Sequence, residues 1–279
     1  MIRRHSTIAI RTVYWKPGYD YLTAISRMLA PKVQTRDVIV MSEKAISVAD
    51  GHIVDEAQIH SGVMAKLIAR FWMRFVWGYL LGPICHLSRL TIGRLRSYPL
   101  SEGAAHKQLA LHHVGFLQAL RHGSEGGIDT SNVPYSYASL PLKHPDMIAR
   151  NILEALLKAS SKDITVLIVD SDKTYTWSGI HISSRPTTVQ GILTLGVIGY
   201  VLCRSLKLRA RSTPIAQAGH YLRAEEALRI AALANRARGS GRTAWDMAER
   251  FGVGLTSVSW ESLGSIEHRP VVIVREISQ

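Results

Sequence analysis

Two short stretches gather oxygen-bearing side chains at spacings that suit phosphate and metal chemistry. Gly126 to Val133 reads Gly-Gly-Ile-Asp-Thr-Ser-Asn-Val. The paired glycines let backbone amides approach a ligand closely, and Asp129, Thr130, Ser131 and Asn132 crowd four successive polar positions behind them. A carboxylate in such a loop holds a hard cation, and an amide such as Asn132 donates to a phosphate or a base. The same residues also build an ordinary turn, so composition alone does not choose. The second stretch is Asp170-Ser171-Asp172, which follows the apolar run Ile164 to Val169. Carboxylates where a buried strand ends commonly hold magnesium or manganese bridged to nucleotide phosphates. Oxygen donors without Cys or His select a hard ion over zinc. An Asx turn closing a strand is the competing reading.

Weaker candidates lie elsewhere. Gly239-Ser240-Gly241-Arg242 precedes a helix and offers free amides to an anion, with Arg238 beside it. It lacks the Lys-Ser/Thr ending of a P-loop. Five histidines lie between His86 and His122. His112 and His113 are adjacent and point about 100° apart on a helix, and His106 and His113 are two turns apart, so no zinc site is expected. Cys85 and Cys203 are read as buried reduced thiols, since two distant cysteines make no disulfide framework.

The elements that must position these residues alternate irregularly. Ser6 to Val13 reads as a strand, Lys16-Pro17-Gly18 as a turn, and Asp20 as the start of a helix with an apolar stripe at Leu22, Ile25 and Leu29. Val38 to Met41 is a continuous apolar run, the pattern of a strand buried on both faces. Ser61 to His122 is helix-rich: a first helix to Leu81, a break at Gly82-Pro83, and another helix from Ser101. A helix opened by Pro145 leads to the strand that closes before Asp170. Ala224 to Arg238 is helical, Thr243 and Asp246 form a capping box, and Pro270 to Val274 closes as a strand. This mixture predicts an α+β fold in one domain, 1–279, with a helix-rich segment at about 61–122.

Taken in order, the motifs resemble those of the coenzyme F420-0:γ-glutamyl ligase family. That family runs a strand into a segment of the type S/Q-K-x-x-S-K-A-E-G, then carries G-I-D-x-S-N-V, then a strand closing in D-T or D-S. The counterparts are Val38 to Gly51, Gly127 to Val133, and Val166 to Ser171. Lys16 to Leu22 is similar to the family's nucleotide loop, and His268 to Arg275 to its closing strand. The resemblance implies a ligase-like fold of mixed sheets and packed helices, in an intertwined homodimer. It also implies an acid–amino-acid ligase that uses GTP to activate the carboxylate of F420-0 or a related acceptor as an acyl phosphate, which L-glutamate then attacks. Divalent Mg2+ or Mn2+ ions and K+ would assist.

By the same resemblance Asp129 and Asp170 hold the first metal, Ser171 contacts the second, and Asn132 faces the nucleotide. Tyr14, Trp15 and Lys16 line the triphosphate loop, and no residue is singled out as catalytic. Two positions depart from the pattern. Val48 stands where the family has Lys, with Lys44 as a nearby substitute, and Ser240 stands where the G-E-G loop has its acid. Arg238 and Arg242, with Gly239 and Gly241, would then carry the phosphate charge. These departures also admit a second reading: a non-catalytic nucleotide-binding or nucleic-acid-associated protein retaining the fold.

Composition bounds both readings. Lys and Arg total 34 against 21 acidic residues, a formal charge of +13 that favours polyanionic partners without naming one. For the ligase, nucleic acid is not an expected partner. Phe71 to Leu81 and Ile192 to Cys203 fall short of the ~20 apolar residues a membrane span needs. With no apolar leader behind Met1, a cytoplasmic location is expected.

Overall fold

The computed structural model describes residues 4–239 and 243–277. Its strands are β1 (Arg4–Thr12), β2 (Val38–Ser42), β3 (Ile53–Asp55), β4 (Tyr137–Ser139), β5 (Thr165–Trp177), β6 (Ile180–Ser183), β7 (Ile192–Thr194), β8 (Arg209–Ala218) and β9 (His268–Ile277). All except the antiparallel pair β3 and β4 belong to one mixed sheet. In it β1 pairs antiparallel with β9, β9 antiparallel with β2, and β2 parallel with β5.

Long β5 organises the rest. Its first half, Thr165 to Val169, pairs with β2, and its second half, Thr174 to Trp177, pairs with β6, which in turn pairs parallel with β7. Antiparallel β8 follows the other edge along both halves. Between the halves the register with β8 slips: Asp170 sits opposite Thr213 and Lys173 opposite Ser212. Ser171 and Asp172 are therefore extra residues in a bulge. The expected strand end at Asp170 is corrected by this geometry, because the strand continues to Trp177. A bulge bends a strand and re-aims its side chains without ending it, and local polarity cannot tell the two apart.

Strict alternation builds the layers around the first half. Ile39 and Met41 of β2 and Val166 and Ile168 of β5 face one core, with Ile25 and Leu29 of α1 (Tyr21–Leu29) and Ile152 and Leu156 of a later helix, Pro145–Ser160. Val38, Val40, Leu167 and Val169 face the opposite core, against the helix Ala224–Arg238. Its Ala227, Ala231 and Ala234 are buried there. Asp20 caps α1 by accepting a hydrogen bond from the amide of Thr23 at 3.0 Å. From Ser42 the chain passes directly into α2 (Glu43–Ala49).

The helix-rich segment packs against the second half of β5. α3 (Val63–Leu67) passes into a widely wound stretch, Ile68–Leu81, and then α4 (Gly82–Ile84). The expected break at Gly82-Pro83 is displaced to Cys85. Gly82 donates its amide five residues back, to the carbonyl of Trp77, and a side chain there would meet that oxygen at 2.5 Å. Pro83 falls in the first turn of the short α4, where no N–H is needed. α5 (Arg89–Arg96), not anticipated, precedes α6 (Leu100–His113) and α7 (Phe116–Ala119). The core of this layer joins Met73, Trp77, Leu95 and Leu109 to Tyr175 of β5. The Pro145–Ser160 helix is α8, Gly196–Ser205 is α9, and Ala224–Arg238 is α10; α11 (Ala244–Phe251) and α12 (Trp260–Gly264) follow. Thr243 and Asp246 form the expected capping box. Both cysteines are free and buried. Among the described residues no helix is long and apolar enough to cross a membrane.

Candidate active site at the bulge of the central strand

Where β2 ends and β6 has yet to begin, one edge of β5 is left without a strand. The residues entering that gap are Glu43, just after β2, and Arg185, just after β6. Arg185 donates to both oxygens of Glu43 at 2.5 and 2.9 Å and to Asp170 at 2.7 Å. All three side chains are buried. Burial lifts the Glu43 carboxyl above its usual range against the pull of Arg185. Burial also acts on Asp170, but Arg185 and Lys44 outweigh it and hold that group below its usual value. One guanidinium thus bonds both carboxyl groups, and the two shift in opposite directions, Glu43 up and Asp170 down.

The glycine loop closes on the same guanidinium. Gly127 has φ +104, and a β-carbon there would lie 2.6 Å from Arg185. Only glycine combines that backbone with that contact. Asp129, two residues on, forms an ion pair with Lys44 of α2 and accepts from the amide of Ser131 at 2.7 Å. Lys44 also donates to the Ser131 hydroxyl at 2.6 Å. Asp129 and Asp170 are therefore held on one cation cluster, Lys44 bonding the first and lowering the pKa of the second.

Two cavities meet here. The first, about 450 Å3, is lined by Tyr14, Trp15, Lys44, Asn132, Asp170, Ser171, Arg238 and Gly239 among others. The second, about 640 Å3, contains Asp129 and lies toward the helical layer. Ser131, Ser171 and Asn235 line both and form the doorway. Tyr14 donates its hydroxyl to the Asn132 carbonyl, and Asn132 has φ +55. Trp15 is buried and stacks on Tyr21 at 5.3 Å, while its indole N–H has no partner among the described residues. Lys16 is exposed and is not part of either wall. Gly241 and Arg242, like Ser240, lie outside the described residues.

Arg238 is the most unusual group of the first cavity. Its Nε and Nη2 are buried with no hydrogen-bond partner among the described residues. Burial pulls its pKa down to about 10, with Asp170 opposing. An unsatisfied buried cation is costly unless an anion completes it. His268, on the same wall, is pushed down to about 4 by burial and is neutral.

Sequence reasoning passed over several residues of this region. Besides Glu43 and Arg185, these are Arg121, which forks Asp172 at 2.8 and 3.2 Å, and a buried chain under the second cavity. In that chain His106 bridges Glu56 at 2.5 Å and Glu125 at 2.7 Å, and Lys107 also pairs with Glu125. Adjacent His106 and Lys107 on a helix gave no signal, because their partners lie 50 and 18 residues away.

Comparison with known proteins places the chain in a family. Over nearly its whole length the chain is similar to an uncharacterized protein of Methanocaldococcus jannaschii, 31% identical over 279 residues, covering 95% of this chain and 94% of that protein. The family described as F420-0:Gamma-glutamyl ligase matches residues 9–194, a span that holds the glycine loop, the bulge of β5 and Arg185. The chain belongs to the F420-0:γ-glutamyl ligase family.

Proposed function

We propose that this protein is a GTP- and divalent-metal-dependent ligase that joins a carboxylate acceptor to L-glutamate through an acyl phosphate. Arg238 carries the reading: half-buried on the wall of a cavity of nucleotide size near Asp170, it holds two buried guanidinium nitrogens with no partner among the described residues. A triphosphate would supply the missing acceptor atoms. Tyr14, Trp15, Lys44, Asn132 and Gly239 on the same walls would position it.

The donor set fits a hard divalent ion, Mg2+ or Mn2+. Asp129, Asp170 and Ser171 offer oxygen alone. Among the described residues no group of three or more acidic, His or Cys side chains could cage an ion, so phosphate oxygens and water would complete the coordination. Such ions, with K+, would neutralise phosphate charge. The chain's own part is positioning: Arg185 fixes Asp170, Lys44 fixes Asp129, and the doorway brings the second cavity against the first. An acceptor carboxylate oxygen would attack the γ-phosphorus and release GDP. The glutamate amine would then attack the acyl carbon, releasing phosphate and a proton.

A homodimer belongs to this reading. Phe71, Phe75 and Tyr79 are exposed in a row, the first pair tilted and the second stacked, with ring centroids 5.9 and 6.2 Å apart, while Met73 and Trp77 are buried. A second copy would cover that row.

The rival reading, nucleotide binding without ligation, draws support from Lys44, which already occupies the Asp129 carboxylate. Phosphate release from GTP that requires both L-glutamate and F420-0 separates the two. We expect Asp129→Asn to abolish manganese-dependent GTP binding in calorimetry; unchanged affinity would refute the site. Binding without glutamate-dependent release would select the rival.

A further inference from the structure

α9 is apolar on both sides. Val197, Gly199, Tyr200 and Cys203 are buried toward the sheet, where a β-carbon on Gly199 would meet Ile182 of β6 at 3.0 Å and the Tyr200 ring lies 6.2 Å from that of Tyr175. Leu195, Ile198, Leu202 and Leu206 recur at helical spacing along the opposite side, and all four are exposed. A surface helix ordinarily turns polar side chains to water there. At 1.5 Å per residue the stripe is about 16 Å long. It continues onto the sheet. Trp177 is two residues past Tyr175 and shares its face, and Ile180 is its partner across the β5–β6 turn. Both are exposed. α9 ends beside them, because after Leu206 and Lys207 the chain enters β8 at Arg209, which pairs with Thr176.

The charge along this face has one sign. From Lys173 to Ala224 the sequence contains no Asp or Glu. Arg204 donates to the carbonyls of Cys85 and His86 at 3.1 and 3.3 Å, and Lys207 and Arg209 are exposed. The acid that feels Arg209 is Glu225, and Arg211 already forks it through two bonds of 2.7 Å. Apolarity and charge together choose the partner. A second copy meeting this face across a two-fold axis would set its cations against themselves. Duplex nucleic acid would answer the charge but leave the leucines and Ile198 against phosphate and water. The boundary layer of an anionic bilayer answers both: acyl chains receive the aliphatic stripe, Trp177 suits the headgroup level, and lipid phosphates meet the Lys and Arg side chains.

We propose that the outer face of α9, with the β5–β6 turn, is a docking surface for an anionic lipid bilayer. Ile198, Leu202 and Trp177 enter the headgroup boundary, and Lys207 and Arg209 hold the lipid phosphates. The inference goes beyond the ligase reading and does not rest on it, since none of the six exposed apolar residues lines either cavity.

The test is co-sedimentation of the full chain with two kinds of vesicle: phosphatidylcholine alone, and phosphatidylcholine with about one third phosphatidylglycerol. We expect the mixed vesicles to bind at least about tenfold more tightly than the neutral ones, with the difference shrinking as salt is raised. Ile198→Ser with Leu202→Ser should weaken binding to the mixed vesicles about tenfold or more. Lys207→Gln with Arg209→Gln should do the same at low salt, by a factor of about five for each cation removed. All four side chains are exposed, so Tm and GTP binding should not move in either double variant. The proposal is overturned if the mixed vesicles leave the chain in solution, if neutral vesicles bind it equally, or if the serine pair binds unchanged. Tighter binding of duplex DNA than of mixed vesicles would overturn it as well. So would a dimer in light scattering that the serine pair converts to a monomer, which gives the face to a second copy. Absent GTP binding with vesicle binding intact would count against the nucleotide reading alone, leaving the docking surface supported.

Discussion

Replacing His106 with Gln removes the central cation of a buried chain, and its effect on stability has a defined pH signature. The imidazole is 12% exposed and lies between Glu56, 9% exposed, and Glu125, 1% exposed. Burial alone would strip its proton, but the two carboxylates outweigh that and push its pKa up to about 10. Glu125 is held below its usual range despite burial, by Lys107 and His106. Removing one member of such a buried set costs about 3–5 kcal/mol, because charge is left without a partner. For a chain of this size that corresponds to a fall in Tm of roughly 10 °C. The folded-state pKa lies above the unfolded value of about 6.5. The contribution is therefore complete below pH 6.5 and is lost as pH rises through about 10. Between those limits the native state holds one proton more, so the advantage over His106→Gln should shrink by about 1.4 kcal/mol per pH unit. Lys107, whose pKa burial lowers, acts in the opposite sense at the alkaline end, but it is present in both proteins and largely cancels. Urea unfolding of both proteins at pH 6, 7, 8 and 9 measures the difference. Parallel curves, with a constant gap, would mean that the buried imidazole is neutral and that the chain is not an ion network.

Other perturbations test the site itself. Arg238→Met should weaken GTP binding by about tenfold to a hundredfold, the range for a charge-assisted hydrogen bond, while leaving Tm unchanged or higher, since it removes two buried guanidinium nitrogens that have no partner among the described residues. A loss of stability with no loss of affinity would refute it. Gly127→Ala should cost about 1–3 kcal/mol from backbone strain alone and reduce GTP affinity through displaced Arg185. Thermal melts and calorimetry on the same sample report both. Phe71→Ser with Phe75→Ser should leave the fold intact and yield a monomer; light scattering that finds the parent chain monomeric at micromolar concentration would remove the dimer from the reading.

What was legible in the sequence was whatever local pattern decides. The run Val38 to Met41 declared a strand buried on both faces because nothing polar interrupts it, and Asp20, Thr243 and Asp246 declared helix starts because capping needs those side chains at those positions. The path of β5 was not legible. Asp170-Ser171-Asp172 looks like a strand end in one dimension, and whether the chain turns or bulges depends on β8, more than 40 residues away. The same limit hid Arg185. Nothing in Ser183-Ser184-Arg185-Pro186 marks a keystone, and its partners Glu43 and Asp170 lie 142 and 15 residues distant. Yet the glycine loop carried an indirect sign of it. Gly127 must be glycine for two reasons at once, a positive φ and a guanidinium 2.6 Å from where a β-carbon would sit. A turn alone needs only the first. A glycine beside a would-be ligand loop is therefore evidence of something pressed against the backbone, and here that object is the protein's own cation, the group that holds Asp170 in place before any ligand arrives.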